Sequence, residues 1–253
     1  MTSGEAALQV LHDAATAVAS ALAGLDDWGP SGRRPDQYRS DVVADEAALA
    51  VLSAAGFGAY SEESGLHGGD RPVRVVVDPV DGSTNAARGL PWWATSLCAV
   101  DGDGPLAALV VNQATGARYS AVRGGGAYCG SDPIRPTGCT AMASAIVAFS
   151  GYPRTYLGWS QYRSLGAAAL DLCAVAAGTL DAFIDCGVQS LAPWDYLGSL
   201  LICAEAGAVV TEARGRELVV TGGSERRTVV AAATPSLLAE ALSARRLLDG
   251  AGK

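Results

Sequence analysis

Between Gly4 and Leu25 the apolar residues Leu8, Val10, Leu11, Ala15 and Val18 recur at helical spacing, which predicts an amphipathic helix. The stretch from Asp26 to Gln37 is rich in Gly, Pro and Arg and reads as a loop. A second helix is expected to begin near Asp41 or Asp45 and run through Ala47, Leu49, Val51 and Leu52 to Gly56. After that the period changes. Gly58-Ala59-Tyr60 reads as a short strand ending at the polar Ser61-Glu62-Glu63-Ser64. Val73-Arg74-Val75-Val76-Val77 is a β-branched run of strand length that stops at Asp78-Pro79, and Gly82-Ser83-Thr84-Asn85 reads as a turn feeding a short helix. Further strands are expected over 95–100, 106–111, 118–122 and 145–149, separated by turns such as Asp101-Gly102-Asp103-Gly104 and Arg123-Gly124-Gly125-Gly126. The remainder alternates: helix 165–177, strand 181–184, helix 194–206, strands 209–211 and 229–232, and a last helix 235–245. Helices alternating with short strands predict a layered domain of the α/β or α+β class.

With 253 residues and 49% hydrophobic positions, the chain can bury a large core. It is read as a single domain of two packed halves, approximately 1–138 and 139–253. A net charge of −8, from 18 basic and 26 acidic residues, leaves no cationic stripe for a nucleic acid polymer, although a local phosphate site stays open. The only lysine is Lys253, so no Schiff base can form in the body of the chain. Six scattered cysteines without a CxxC, and only two His, argue against a thiolate zinc site and for buried, reduced thiols. The first 25 residues lack a basic leader, and no uninterrupted apolar stretch of about 18 residues is present, so neither a secretory signal nor a membrane span is expected. A cytoplasmic location follows as an expectation. Arg123-Gly124-Gly125-Gly126 has no companion lysine and is expected to be a tight turn, not a kinase loop. Gly32-Arg33-Arg34-Pro35 is expected to be solvated surface, and Trp92 and Trp93 to pack in the core.

The chemistry concentrates where the Val73–Val77 run ends. Asp78 and Asp81, with the Val80 carbonyl between them, can converge on a small volume, and Pro79 stiffens the turn. Such hard oxygen donors select Mg²⁺ or a similar cation over zinc. Gly82 permits close backbone approach, and Ser83 and Thr84 bring amides and hydroxyls to a helix start, which favours an anion. Glu62 and Glu63 follow a predicted strand, and Asp195 stands at the start of an apolar helix. Taken singly, these are a turn, a solvated loop and a helix cap. Together they describe a site for a divalent cation and a phosphate.

Asp78-Pro79-Val80-Asp81-Gly82-Ser83-Thr84-Asn85 resembles the DPxDG(T/S)xN signature of the inositol monophosphatase family, within the magnesium-dependent, lithium-sensitive sugar phosphatase superfamily. Ser61-Glu62-Glu63-Ser64 resembles its GEES element with Ser61 in place of Gly. Trp194-Asp195-Tyr196-Leu197-Gly198-Ser199 resembles WDxAAG, departing at Tyr196-Leu197 and Ser199, and 164–173 is similar to the helix before that motif. The elements span roughly residues 5–245.

The resemblance implies a layered αβαβα sugar-phosphatase-like fold and a Mg²⁺-dependent phosphomonoesterase, with two or three ions, acting on a small phosphorylated polyol or sugar. It assigns Glu62, Asp78, the Val80 carbonyl, Asp81 and Asp195 to the metals. Asp45 is assigned, with Ser83, to orienting the attacking water, although its spacing from Asp41 is shorter than the family pattern. Gly82, Ser83 and Thr84 fall to the phosphate, Asp185 to substrate hydroxyls, and Glu63 to an outer position. The loop 187–193 is longer than in typical members. A homodimer is implied too. The rivals are a nucleotide 3′-phosphatase, a fructose-1,6-bisphosphatase or a histidinol-phosphate phosphatase of the same superfamily, and a homologue that binds ligand without turnover. A glycosidase with paired carboxylates would leave the Gly-Ser-Thr helix start unexplained.

Overall fold

The computed structural model describes residues 3–250. Helices α1 (Ser3–Ala23) and α2 (Arg39–Ala54) cover one face of an eight-stranded sheet. Its strands are β1 (Gly58–Ser61), β2 (Gly65–His67), β3 (Arg74–Asp81), β4 (Ala94–Asp101), β5 (Gly104–Asn112), β6 (Arg118–Val122), β7 (Ala127–Cys129) and β8 (Asp132–Pro133), in the order β2-β1-β3-β4-β5-β6-β7-β8. Only β1 and β3 pair in parallel; the other pairs are antiparallel. A short helix, α3 (Ser83–Arg88), follows β3.

The second sheet comprises β9 (Ile146–Ser150), β10 (Gln161–Arg163), β11 (Ala182–Asp185), β12 (Val209–Glu212) and β13 (Val229–Ala232), in the order β10-β9-β11-β13-β12. Helices α4 (Ala168–Ala176) and α5 (Pro193–Ala206) lie between the sheets, and α6 (Pro235–Gly250) covers the far side of the second. The result is five alternating layers, α-β-α-β-α, as expected.

Strand periodicity makes this layering possible. Val75 and Val77 pack toward α1 and α2, whereas Val76 packs toward α4 and α5. In the second sheet Phe183 joins the central layer while Ala182 and Ile184 face α6. Both faces of each central strand are covered, so the strands read as continuous apolar runs without polar alternation. Gly198 lets α5 approach closely, because a Cβ there would stand 2.8 Å from Ser96 Oγ and 3.2 Å from Val110 Cγ2.

Several boundaries differ from the sequence reading. β3 does not stop at Asp78; it continues through Pro79 to Asp81, and its register against β4 slips between Asp78 and Asp81. Pro79 has no N–H to give the ladder, so the slip falls where the backbone cannot pair regularly. α4 begins at Ala168, just past Gly166 at φ +87°. β2, β7, β8 and β10 were not expected: two or three residues are too few to show a period.

Helix α1 has the length and apolar content of a membrane span. Its Leu11, Ala14, Ala15 and Val18 are nevertheless fully buried in the cluster it forms with α2 and the first sheet. Gly124 and Gly126 donate backbone N–H to the Glu205 carboxylate at 2.7 and 3.0 Å, closing the tight turn between β6 and β7. All six cysteines are free. Trp93 packs edge-on against Trp28, and Trp92 Nε1 donates to Asp171 Oδ1 at 2.9 Å.

Asp171 lies buried in the central layer, and burial pushes its carboxyl up to about 7 against the hydrogen bond from Trp92. The folded state therefore holds this proton more tightly than the unfolded chain, and stability falls as pH rises from about 4 toward 7. Asp171→Asn should remove that part of the slope and be more stable than the parent at pH 8, as measured by urea unfolding across pH. An unchanged slope would contradict this.

Candidate active site

Three chain segments meet at one end of the first sheet. β1 ends at Ser61 and delivers Glu62 and Glu63, and the Glu62 N–H still pairs with the Val77 carbonyl at 3.1 Å. The slipped end of β3 delivers Asp78 and Asp81. The first turn of α5, opened by Pro193, delivers Asp195, whose Oδ2 accepts the Ala192 N–H at 2.7 Å. Asp78 Oδ1 accepts the Val80 N–H at 3.0 Å, and Asp81 Oδ2 accepts the Ala169 N–H at 2.7 Å from the start of α4.

Glu62, Asp78, Asp81 and Asp195 form one electrostatic cluster. Glu62 and Asp78 interact directly, Asp81 and Asp195 both repel Asp78, and Asp195 also repels Glu62. Burial first, then repulsion within the cluster and, for Asp81, from Asp171 as well, push all four carboxyls well above the usual carboxylate range. Among the described residues none of the four makes an ion pair. Also among them, no three His, Cys, Asp or Glu side chains are drawn together closely enough to form a ready cage for an ion. The donor set is all oxygen, buried at Asp78 and Asp81 and half-buried at Glu62 and Asp195, without a basic side chain inside it, which fits a hard divalent cation.

Beside the cluster lies a cavity of about 390 Å³ walled by Asp41, Glu62, Glu63, Val80, Ser83 and Trp194, with Arg34 and Arg226 also lining it. Among the described residues, buried Trp194 Nε1 has no hydrogen-bond partner. Gly82 stands at φ +87°, and a Cβ there would lie 3.1 Å from the Gly166 carbonyl oxygen and 3.2 Å from the Trp92 one, so glycine is required at the start of α3. Thr84 is exposed and its hydroxyl lies 3.3 Å from that of Tyr38.

Two expected site residues lie away from the cavity. Asp45 does not wall the cavity: its Oδ1 accepts Ser61 Oγ at 2.5 Å, one turn deeper along α2. Asp41, near the start of the helix, is the residue that does; its Oδ2 accepts the Tyr38 N–H at 2.8 Å, and burial pushes its carboxyl up to about 6. Asp185 is fully buried and turned into its own loop, accepting Ser190 Oγ at 2.6 Å and the Gly187 N–H at 2.8 Å, and it does not line this cavity. Residues 32–35 are exposed, as expected, and Arg34 is engaged as well. Its Nη2 reaches Glu63 Oε2 at 2.5 Å, and Gln37 Nε2 donates to the same oxygen. Glu63, with a side chain 8% exposed, is thereby the anchor of the 31–37 loop.

Arg226 and Asp41 are the residues that sequence reasoning missed. Asp41 carried a signal, a carboxylate near the start of a predicted helix. Arg226 carried none, because it arrives from a loop far along the chain and donates to the Ser190 carbonyl at 2.8 Å.

A model of the inositol monophosphatase family matches residues 39–248. An inositol-1-monophosphatase of Mesorhizobium japonicum is 34% identical over 211 residues, covering 75% of this chain and 77% of that protein. The protein named Nus factor SuhB in Pasteurella multocida is 28% identical over 94% of this chain and 93% of its own length. Among solved structures, an inositol monophosphatase–fructose 1,6-bisphosphatase superposes with a TM-score of 0.82 at 25% identity, covering 93% of this chain and 98% of the other.

Since Arg34 ties the 31–37 loop to Glu63, Arg34→Gln should leave the global unfolding midpoint close to that of the parent while raising amide hydrogen exchange across this loop at least about tenfold, in proportion to the lost local stability. Exchange unchanged by the substitution would show that the loop is held by other contacts.

Proposed function

Because this chain belongs to the inositol monophosphatase family, and is thus a phosphatase of that superfamily, we propose that it is a magnesium-dependent phosphomonoesterase acting on a small phosphorylated polyol or sugar. One observation carries this reading: two buried and two half-buried carboxylates in mutual repulsion lie beside a polar cavity that Ser83 and Asp41 also enter. Such a cluster is stable in ionised form only with a concentrated positive charge among its oxygens. Glu62, Asp78, Asp81 and Asp195, with the Val80 carbonyl, would hold it. Magnesium bound there would neutralise phosphoryl oxygens and acidify a water for attack.

The chain's own groups do the rest. The Asp41 carboxylate, ionised for the most part above pH 6, accepts a hydrogen bond from the attacking water, and the Ser83 hydroxyl fixes that water's direction. The Gly82 and Ser83 amides at the start of α3 hold phosphoryl oxygens while charge shifts to the leaving alkoxide. Trp194 offers an indole N–H that has no acceptor among the described residues. The cavity, at about 390 Å³, has room for a monosaccharide-sized phosphate ester. A homodimer remains part of the proposal.

A second reading rests on the rim. Arg34 and Arg226 place guanidinium groups on the same cavity, which suits a substrate carrying a second anionic group, as a sugar bisphosphate does. Phosphate release from a panel of inositol monophosphates, sugar mono- and bisphosphates and 3′-nucleotides separates the two.

Two substitutions test the mechanism. Asp81→Asn should abolish Mg²⁺-dependent phosphate release, by about 10³-fold or more, with an unchanged circular dichroism spectrum. Asp41→Asn should cost on the order of 10²-fold in kcat, whereas Asp45→Asn should stay within about tenfold of the parent. Full activity in Asp81→Asn, or a larger loss in Asp45→Asn than in Asp41→Asn, would refute this arrangement.

A further inference from the structure

A second cavity, of about 300 Å³, opens on the other side of the 186–190 loop, away from the carboxylate cluster. It is walled by the end of β11 with the loop after it, by the β9–β10 connection, by the turn after β12 and by the last turns of α6. Three arginines meet there, Arg154, Arg214 and Arg245, and no Asp or Glu is among its described lining residues. In a chain of net charge −8, three guanidinium groups facing one small volume is a marked local inversion of sign.

The three are held differently. Arg245 is 2% exposed, with Nε donating to the Asp185 carbonyl and Nη2 to the Gly187 carbonyl, each at 2.7 Å. It is a fixed guanidinium, oriented by backbone. Arg154 and Arg214 are exposed, and among the described residues neither guanidinium makes a hydrogen bond or an ion pair. The Asp185 carboxylate is engaged by Ser190 and by the Gly187 N–H, and it also attracts Arg245 electrostatically, so the uncompensated charge is that of Arg154 and Arg214. Positive groups brought together in a recess repel one another, and an oxyanion with several acceptor oxygens relieves that repulsion, matching the planar forks of Arg154 and Arg214 while Arg245, already donating to backbone, adds its charge. Tyr152, 81% exposed at the rim, offers an aromatic face to whatever bears the anion.

We propose that Arg154, Arg214 and Arg245 form a binding site for a phosphoryl-type oxyanion, separate from the hydrolytic cavity. The site goes beyond the proposed activity and does not depend on it. Its position has a consequence: Arg245 holds the Gly187 carbonyl from this side while Arg226, a lining residue of the hydrolytic cavity, holds the Ser190 carbonyl from the other. An anion here would brace the loop that separates the two cavities.

The test uses the full chain freed of divalent cations on a chelating resin, so that the carboxylate cluster cannot recruit phosphate. Binding of inorganic phosphate, methylphosphonate and citrate is followed by calorimetry for the parent, for R154Q/R214Q and for R34Q/R226Q. Phosphate or methylphosphonate should bind the parent and R34Q/R226Q alike, and R154Q/R214Q should lose at least tenfold in affinity while keeping its unfolding midpoint and its Mg²⁺-dependent activity. Binding of both phosphoryl probes points to a site open to free phosphate; binding of methylphosphonate alone points to phosphate esters or phosphonates. No binding to the parent, equal binding to R154Q/R214Q, loss in R34Q/R226Q instead, or binding of citrate alone would overturn the proposal.

Discussion

Like charges buried side by side are the constraint around which this molecule is built. Glu62, Asp78, Asp81 and Asp195 come from a loop after a strand, from a broken strand end and from a helix start, and the fold keeps all four together although burial and repulsion disfavour their ionised forms. Backbone amides from Val80, Ala169 and Ala192 each take one hydrogen bond to a carboxylate and hold it in direction. Such an arrangement is disfavoured in its ionised form unless protons or a counter-charge offset it, and the family to which the chain belongs is one of metal-dependent catalysis.

The architecture serves that convergence. β3 is covered on both faces, so its position is set by core packing on either side, and only its last residues, past the register slip, are free to turn carboxylates toward the site. Gly198 lets α5 lie close against the first sheet, which brings the start of that helix, and Asp195 with it, near β3. Gly82, crowded by the Gly166 and Trp92 carbonyls, sets α3 at the mouth of the same cavity. The packing of the central layer and the geometry of the site are therefore one problem.

Much of this was legible in the sequence where local chemistry dominates. The run Val75-Val76-Val77 announces a strand covered on both faces, and the acids that follow it lie where the strand ends. Legibility failed where the outcome depended on contacts distant in sequence. Asp41 and Asp45 are one turn apart on the same face of α2, and only the position of that helix relative to β1 decides that Asp45 meets Ser61 while Asp41 meets the cavity. Arg34 is exposed as read, but its tie to Glu63 was hidden because the two lie 29 positions apart. Asp185 stands at the end of β11 as expected, but the long loop after it folds back and takes up its carboxylate.

The most direct test of the central claim is a crystal structure of the protein soaked with Mn²⁺ and phosphate, with the metal located by its anomalous signal. The account predicts metal in contact with the carboxylates of Glu62, Asp78, Asp81 and Asp195 and with the Val80 carbonyl, and phosphate between that metal and the start of α3. Metal bound elsewhere, or these four side chains directed away from a common centre with phosphate present, would contradict it.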